Sequence, residues 1–156
     1  MWSGANGVAT WNNDSTTFDD PPDTIDEQSN PKGDAFASWM LNVMGSPAGQ
    51  RGVIDIVTGT GKNTCTAVDN NKAERWVYWQ NGNNRYPQMF QFTTPNEALP
   101  NDRCGKVVFS DMHVSGGPGN GDYPDSCGGG TALSPQEKAL AFMFFDIASC
   151  VGAPVL

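Results

Sequence analysis

Residues 103–151 read RCGKVVFSDMHVSGGPGNGDYPDSCGGGTALSPQEKALAFMFFDIASCV, and this stretch decides the fold. From Lys106 to Val114 it is a β-prone apolar run in which Val107, Phe109, Asp111 and His113 alternate to one side. We expect this run to be the central strand of a sheet. A glycine-rich loop, Ser115 to Gly130, follows and carries Asp122, Tyr123 and Asp125. Ser134-Pro135-Gln136-Glu137 then forms a capping box with proline at the first helical position. Leu140, Met143, Phe144, Ile147 and Val151 recur as the stripe of a helix, which Phe142 and Phe145 widen. A helix this apolar is expected to be buried on most sides.

Upstream, Arg75–Gln80 (RWVYWQ) and Gln88–Thr93 (QMFQFT) are aromatic, β-prone segments separated by the turn residues NGNN. They predict an antiparallel hairpin with a loop longer than two residues. Trp76 and Tyr78 fall on one face, Val77 and Trp79 on the other. Only one face meets the core, so the other offers aromatics for sugar stacking or a partner surface, unless the N-terminal segment covers it. Val53–Val57 reads as a short strand covered on both faces. The TGTGKNT run after it fails the phosphate-loop spacing and reads as a glycine turn. A first helix is signalled by Asn30 as cap, Pro31 as its first residue and Phe36, Trp39, Met40, Val43 and Met44 at helical spacing; Gly45 and Pro47 end it. Residues 1–30 show no period, hold Pro21 and Pro22, and concentrate acid. They predict an ordered coil laid over the domain, with Trp2, Trp11 and Phe18 turned inward.

The 156 residues carry a net charge of −8 with 17% charged residues. That suits a single loop-rich globular domain. It argues against a nucleic-acid partner, whose phosphates require a basic face, and against anionic lipid. No apolar run approaches the ~20 residues of a membrane span, so no membrane insertion is expected. The opening MWSGANGVATW has neither a basic region nor an apolar core, so it reads as the start of a mature domain or the edge of a fragment. Four cysteines, few lysines and many Asn, Gly and Thr point to an oxidising, extracellular or periplasmic setting with two disulfides. Three pairings exist, and Cys127–Cys150 with Cys65–Cys104 is the favoured one. The alternative is four free thiols.

His113 is the chain's only histidine and the side chain best suited to proton transfer near neutral pH. Asp111 is placed to orient it, with Ser110 as the adjacent hydroxyl. No G-x-S-x-G elbow accompanies them, so a nucleophile is not identifiable. Asp111, Asp122 and Asp125 with loop carbonyls offer oxygen ligands of the kind calcium takes, without an EF-hand pattern.

CGKVVFSDMHV, the glycine loop with Cys127, and LSPQEKALAFMFFDIASCV together resemble uncharacterised secreted or surface-anchored bacterial modules with a class I glutamine-amidotransferase-like (ThuA-like) α/β fold. NPKGDAFASWM, ERWVYWQ and QFTTP fit the same pattern, so the likeness covers roughly residues 30–152. It implies that His113 stands where the amidotransferase histidine follows a late strand. The nucleophilic cysteine of that superfamily has no counterpart here, which implies a fold reused for binding.

These readings predict an acidic coil over residues 1–30 and one α/β domain over 31–156. That domain has a small mixed sheet of about four strands, two helices packed on it, and disulfide stabilisation. The expected function is a non-catalytic extracellular binding or surface-assembly module for a polysaccharide or a surface protein. Trp76, Tyr78, Trp79 and Tyr123 are its candidate contacts. The rival is a secreted hydrolase using His113 and Asp111, as an acid–base pair or at a metal.

Overall fold

Two long aromatic strands frame the molecule. The computed structural model describes residues 7–12, 17–18, 22–56, 61–112 and 133–149. In chain order the elements are β1 (Ala9–Trp11), β2 (Thr17–Phe18), β3 (Asp23–Ile25), α1 (Gly33–Asn42), β4 (Val53–Ile54), β5 (Gly61–Lys62) and β6 (Cys65–Val68). Then come β7 (Glu74–Asn81), β8 (Asn84–Thr94), a 3-10 turn at Pro100–Asp102, β9 (Gly105–Ser110) and α2 (Pro135–Ser149). Strands β7 and β8 form the expected hairpin, paired from Glu74–Gln91 to Asn81–Asn84. Its loop is two residues, shorter than the sequence suggests. Gly82, at φ 56°, supplies the positive φ that a tight hairpin turn needs at its first central position, so the polar flanks stay in the ladder.

The main sheet has the order β4-β3-β7-β8-β9, and every described pairing in it is antiparallel. It is thus not the mixed sheet expected. Short turns suffice to join antiparallel neighbours, and no described helix serves as a crossover between parallel strands. The strand expected at the centre, β9, is an edge; β7 holds the middle. The N-terminal segment is also more than a coil. Strand β3 sits inside the main sheet, while β1 pairs with β6 and β2 with β5 as two separate ribbons. Three-residue strands leave too little period to read, and β3 starts directly after Pro22, where a proline removes no interior ladder bond.

Three layers result. On one face of the sheet, α1 and α2 close a core of Ile25, Phe36, Met40, Ile54, Trp76, Val77, Met89, Met112 and Met143. On the other, Val8, Ala9 and Cys65 of the ribbon layer pack on Phe90 and Phe92. Trp11 is turned inward as expected, its ring edge-on to Phe109 at 5.1 Å. Trp76 and Val77 both join the helix-side core, although strict alternation would separate them. Register shifts at Arg75/Val77 and Val77/Tyr78 re-aim the strand there.

Helix α1 begins later than Asn30 and Pro31 predict. Asn30 accepts from Lys32 N (2.9 Å) and donates to Arg75 O (3.2 Å), so it ties the loop to β7 instead of capping the helix. The helix ends in a Schellman arrangement: Gly45 N donates to Met40 O (2.7 Å) and Met44 N to Leu41 O (3.1 Å). Met44 occupies the left-handed position at φ 56°. Helix α2 forms its capping box, with Ser134 N to Glu137 Oε2 at 2.7 Å and Glu137 N to Ser134 Oγ at 3.2 Å. Its buried face is Gln136, Ala139, Met143 and Asp146, rotated from the expected stripe. Phe144 and Phe145 are 62% and 67% exposed. The rotation follows from Asp146, which accepts from Lys32 Nζ (2.5 Å) and Lys106 Nζ (2.9 Å) and so turns its own side of the helix inward. Phe142 keeps contact, stacked on Phe36 at 4.6 Å.

Cys65 and Cys104 are free, which removes the expected Cys65–Cys104 bridge. Cys65 is buried in the ribbon layer, while Cys104 is exposed at the start of β9; two sulfurs so placed do not meet the tight geometry of a disulfide. Cys127 and Cys150 lie outside the described residues, and no disulfide stabilises the described part.

Candidate functional site

Along β9, Val107 and Phe109 face the ribbon layer, while Val108 packs towards the helices, as Met112 beyond the strand does. The same alternation carries Asp111 to the ribbon side and Ser110 to the helix side. Asp111 there meets the Thr64 side chain, the Lys62 charge and the Cys65 thiol. Burial pushes its carboxyl up, with Thr64 and Lys62 opposing. Burial also pushes the Cys65 thiol up to about 12, against the bond to Ala67 O, and the Asp111 charge adds to the rise. A thiol so raised is no nucleophile at neutral pH. Among the described residues Ser110 Oγ and Asp111 Oδ2 are buried without a hydrogen-bond partner, on opposite faces. The structure therefore brings Asp111 to Cys65 and does not bring Ser110 to Asp111. His113, Asp122, Tyr123 and Asp125 lie outside the described residues. Among the described residues no cluster of His, Cys, Asp and Glu is arranged to hold a metal ion.

The aromatic candidates do not form a platform. Trp76 is fully buried, edge-on to Phe36 at 5.6 Å. Tyr78 is buried beneath two guanidinium groups, with Arg75 at 4.7 Å and Arg85 at 5.0 Å from its ring. Trp79 is half-buried and stacked on Tyr86 at 5.3 Å. The two helices, not the N-terminal segment, cover Trp76.

Sequence reasoning missed two features. The first is Asp23, 1% exposed in β3, with neither carboxylate oxygen hydrogen-bonded among the described residues. Burial raises its pKa from 3.8 to about 8, so it is a neutral acid at pH 7. Nothing in its sequence context distinguishes it from the acids around it.

The second is a cleft of about 500 Å³ at the opening end of β9. Its walls are Asn70–Glu74 from the turn into β7, Gln91–Thr93 of β8, and Arg103–Lys106, with Lys32 from the start of α1. Four of the chain's nine Lys and Arg residues line it: Lys32, Lys72, Arg103 and Lys106. Lys32 and Lys106 share Asp146, and Lys72 pairs with Asp69 at 3.2 Å. Arg103 instead donates to two uncharged acceptors, Ala98 O at 2.9 Å and Thr93 Oγ1 at 3.2 Å. Its guanidinium has no carboxylate partner among the described residues. Gln91, 3% exposed, donates Nε2 to Glu74, and its Oε1 has no partner. The exposed Cys104 completes the wall. These residues are scattered over the chain; only the RCGK segment hinted at them. The cleft lies at the opposite end of β9 from Asp111, roughly 24 Å away at the rise of a strand.

Fold and site together define a small α/β protein, two helices on an antiparallel sheet backed by ribbons, with a cationic cleft in an acidic chain. No protein-family model matches the chain, and neither the curated proteins nor the solved structures hold a match. Nothing found bears on the amidotransferase-like resemblance. Among the described residues no helix is long and apolar enough to cross a membrane.

Proposed function

We propose that the chain is a non-catalytic extracellular binding module whose ligand is an acidic polysaccharide, seated in the cleft at the start of β9. The observation that carries this reading is Arg103, a guanidinium with no carboxylate partner among the described residues, in a cleft that draws four cations together. Guanidinium groups take carboxylates through paired hydrogen bonds. Asn70, Asn71 and Thr93 add amides and a hydroxyl of the kind that bind sugar hydroxyls. The extracellular placement rests on composition and on the likeness to secreted modules. Calorimetric titration with oligouronates tests it, beside neutral oligosaccharides and an acidic peptide. Saturable binding of the oligouronate, weakened about tenfold or more by Arg103→Ala, is expected. Preference for the acidic peptide would make the ligand a protein; no response to any anionic probe would overturn the reading.

A second reading, a secreted hydrolase, is favoured only by Asp111, whose buried Oδ2 has no partner and whose carboxyl is raised. It requires that His113→Ala abolish hydrolysis of some glycan or ester substrate while the melting temperature holds. A loss of stability instead makes His113 structural.

A further inference from the structure

We infer that Cys104 is a site of reversible S-thiolation, taking one half of a small disulfide that bears carboxylates and an ammonium group, and that this adduct closes the cleft to its ligand. The inference rests on the cleft being the binding site and adds its regulation.

Three observations meet there. The Cys104 thiol is exposed and free, in contrast to the buried Cys65 thiol. Arg103 and Lys106 flank it in the chain, and Lys32 and Lys72 stand on the same cleft. Asp146 pairs with Lys32 and Lys106, Asp69 pairs with Lys72, and Asp102 precedes Arg103 in the chain, so of the four cations Arg103, beside the thiol, is the one without a carboxylate partner among the described residues. That guanidinium attracts anionic reactants to the thiol. Gln91 adds a requirement that simple anion binding does not meet. Its Oε1 is an acceptor, nearly wholly buried, with no donor to satisfy it among the described residues, and the Glu74 carboxylate is hydrogen-bonded to its other arm. A buried acceptor left open is costly, and a turn of the amide towards an ammonium or hydroxyl donor in the cleft would remove that cost. A carboxylate for Arg103 and an ammonium donor for Gln91 fit one half of such a disulfide.

The chemistry is thiol–disulfide exchange. Cys104 gives its proton to solvent, and the thiolate attacks one sulfur of the incoming disulfide. A bond forms between Cys104 Sγ and that sulfur, the original S–S bond breaks, and the other half leaves as a thiolate that takes up a proton. One disulfide is consumed and one formed, so no further oxidant is needed. The adduct then occupies the cleft and places its carboxylates on Arg103.

The full-length reduced chain is incubated with oxidised glutathione, with neutral hydroxyethyl disulfide and with dicationic cystamine. Each rate is normalised to that of a free thiol peptide, and peptide-resolved mass spectrometry follows all four cysteines. Cys104 is expected to favour oxidised glutathione over cystamine by about tenfold or more, a preference that shrinks in high salt and in Arg103→Ala. Cys65 is expected to stay unmodified. The glutathionylated protein is expected to lose oligouronate binding, and a thiol reductant to restore it. Equal normalised rates for the three disulfides overturn the inference, as does finding Cys104 already joined to Cys127 or Cys150. If oligouronate still binds and Arg103→Ala still weakens that binding, the thiolation inference alone has failed. If oligouronate does not bind either, the cleft reading has failed with it.

Discussion

Asp23→Asn tests whether the deepest acid in the sheet is a burden on folding at neutral pH. Asp23 is 1% exposed, and neither oxygen has a hydrogen-bond partner. Its pKa is 3.8 when the chain is unfolded and about 8 in the fold. Between those values the unfolded chain has released a proton that the folded chain keeps, so stability falls as pH rises through the window. Each pH unit is worth about 1.4 kcal/mol. The cost is therefore about 2 kcal/mol at pH 5, about 4 at pH 7 and about 6 above pH 8. Asparagine has nearly the same shape, does not ionise, and leaves a comparable unsatisfied amide. The two proteins should be close in stability near pH 4 and separate steadily above it, with the variant the more stable. Urea unfolding of both at pH 5, 7 and 9 gives the difference directly, and every other titrating group cancels in the comparison. A difference that stays constant from pH 5 to 9, or that favours the wild type at pH 9, would refute the reasoning.

Three further outcomes are expected. A Cβ on Gly33 would lie 2.2 Å from the Asp26 carbonyl oxygen, a backbone atom that has no rotamer to move, so Gly33→Ala should destabilise by about 3 kcal/mol; wild-type unfolding in that variant would show the helix start to be misplaced. Met44 holds φ 56° and is 80% exposed, so Met44→Gly removes strain at little loss of contact and should stabilise by about 1 kcal/mol in thermal melts. Burial works to raise the Asp146 carboxyl, but hydrogen bonds from Lys32 and Lys106 outweigh it and hold the group below its ordinary range. That stabilisation is full above the unfolded carboxylate pKa and is lost as pH falls through the lower folded value. Because Lys32 is two-fifths exposed, Asp146→Asn should cost about 2 kcal/mol at neutral pH, with the gap closing in acid; a gap that persists there would mean a packing effect.

Local signals carried part of this architecture. The capping box Ser134–Glu137, the β7–β8 hairpin and the helical stripe of Phe36 and Met40 are formed from neighbours in the chain, so their patterns survive in the sequence. The side to which Asp111 points was legible, since alternation along β9 carries it to the face of Phe109. The loss of the expected aromatic platform was not, because two register shifts in β7 turn Trp76 into the core and no periodicity announces a bulge.

The sequence by itself determined an acidic, loop-rich α/β chain with two helices and an aromatic hairpin, because composition and short-range periodicity settle those. Tertiary structure alone decided that the sheet is antiparallel with β3 inside it, that Asp146 faces inward, and that Cys65 and Cys104 stay apart. It also gathered Lys32, Lys72, Arg103 and Lys106 into one cleft. Each of these depends on residues far apart in the chain meeting in space, where burial and charge pairing act and sequence spacing carries no record.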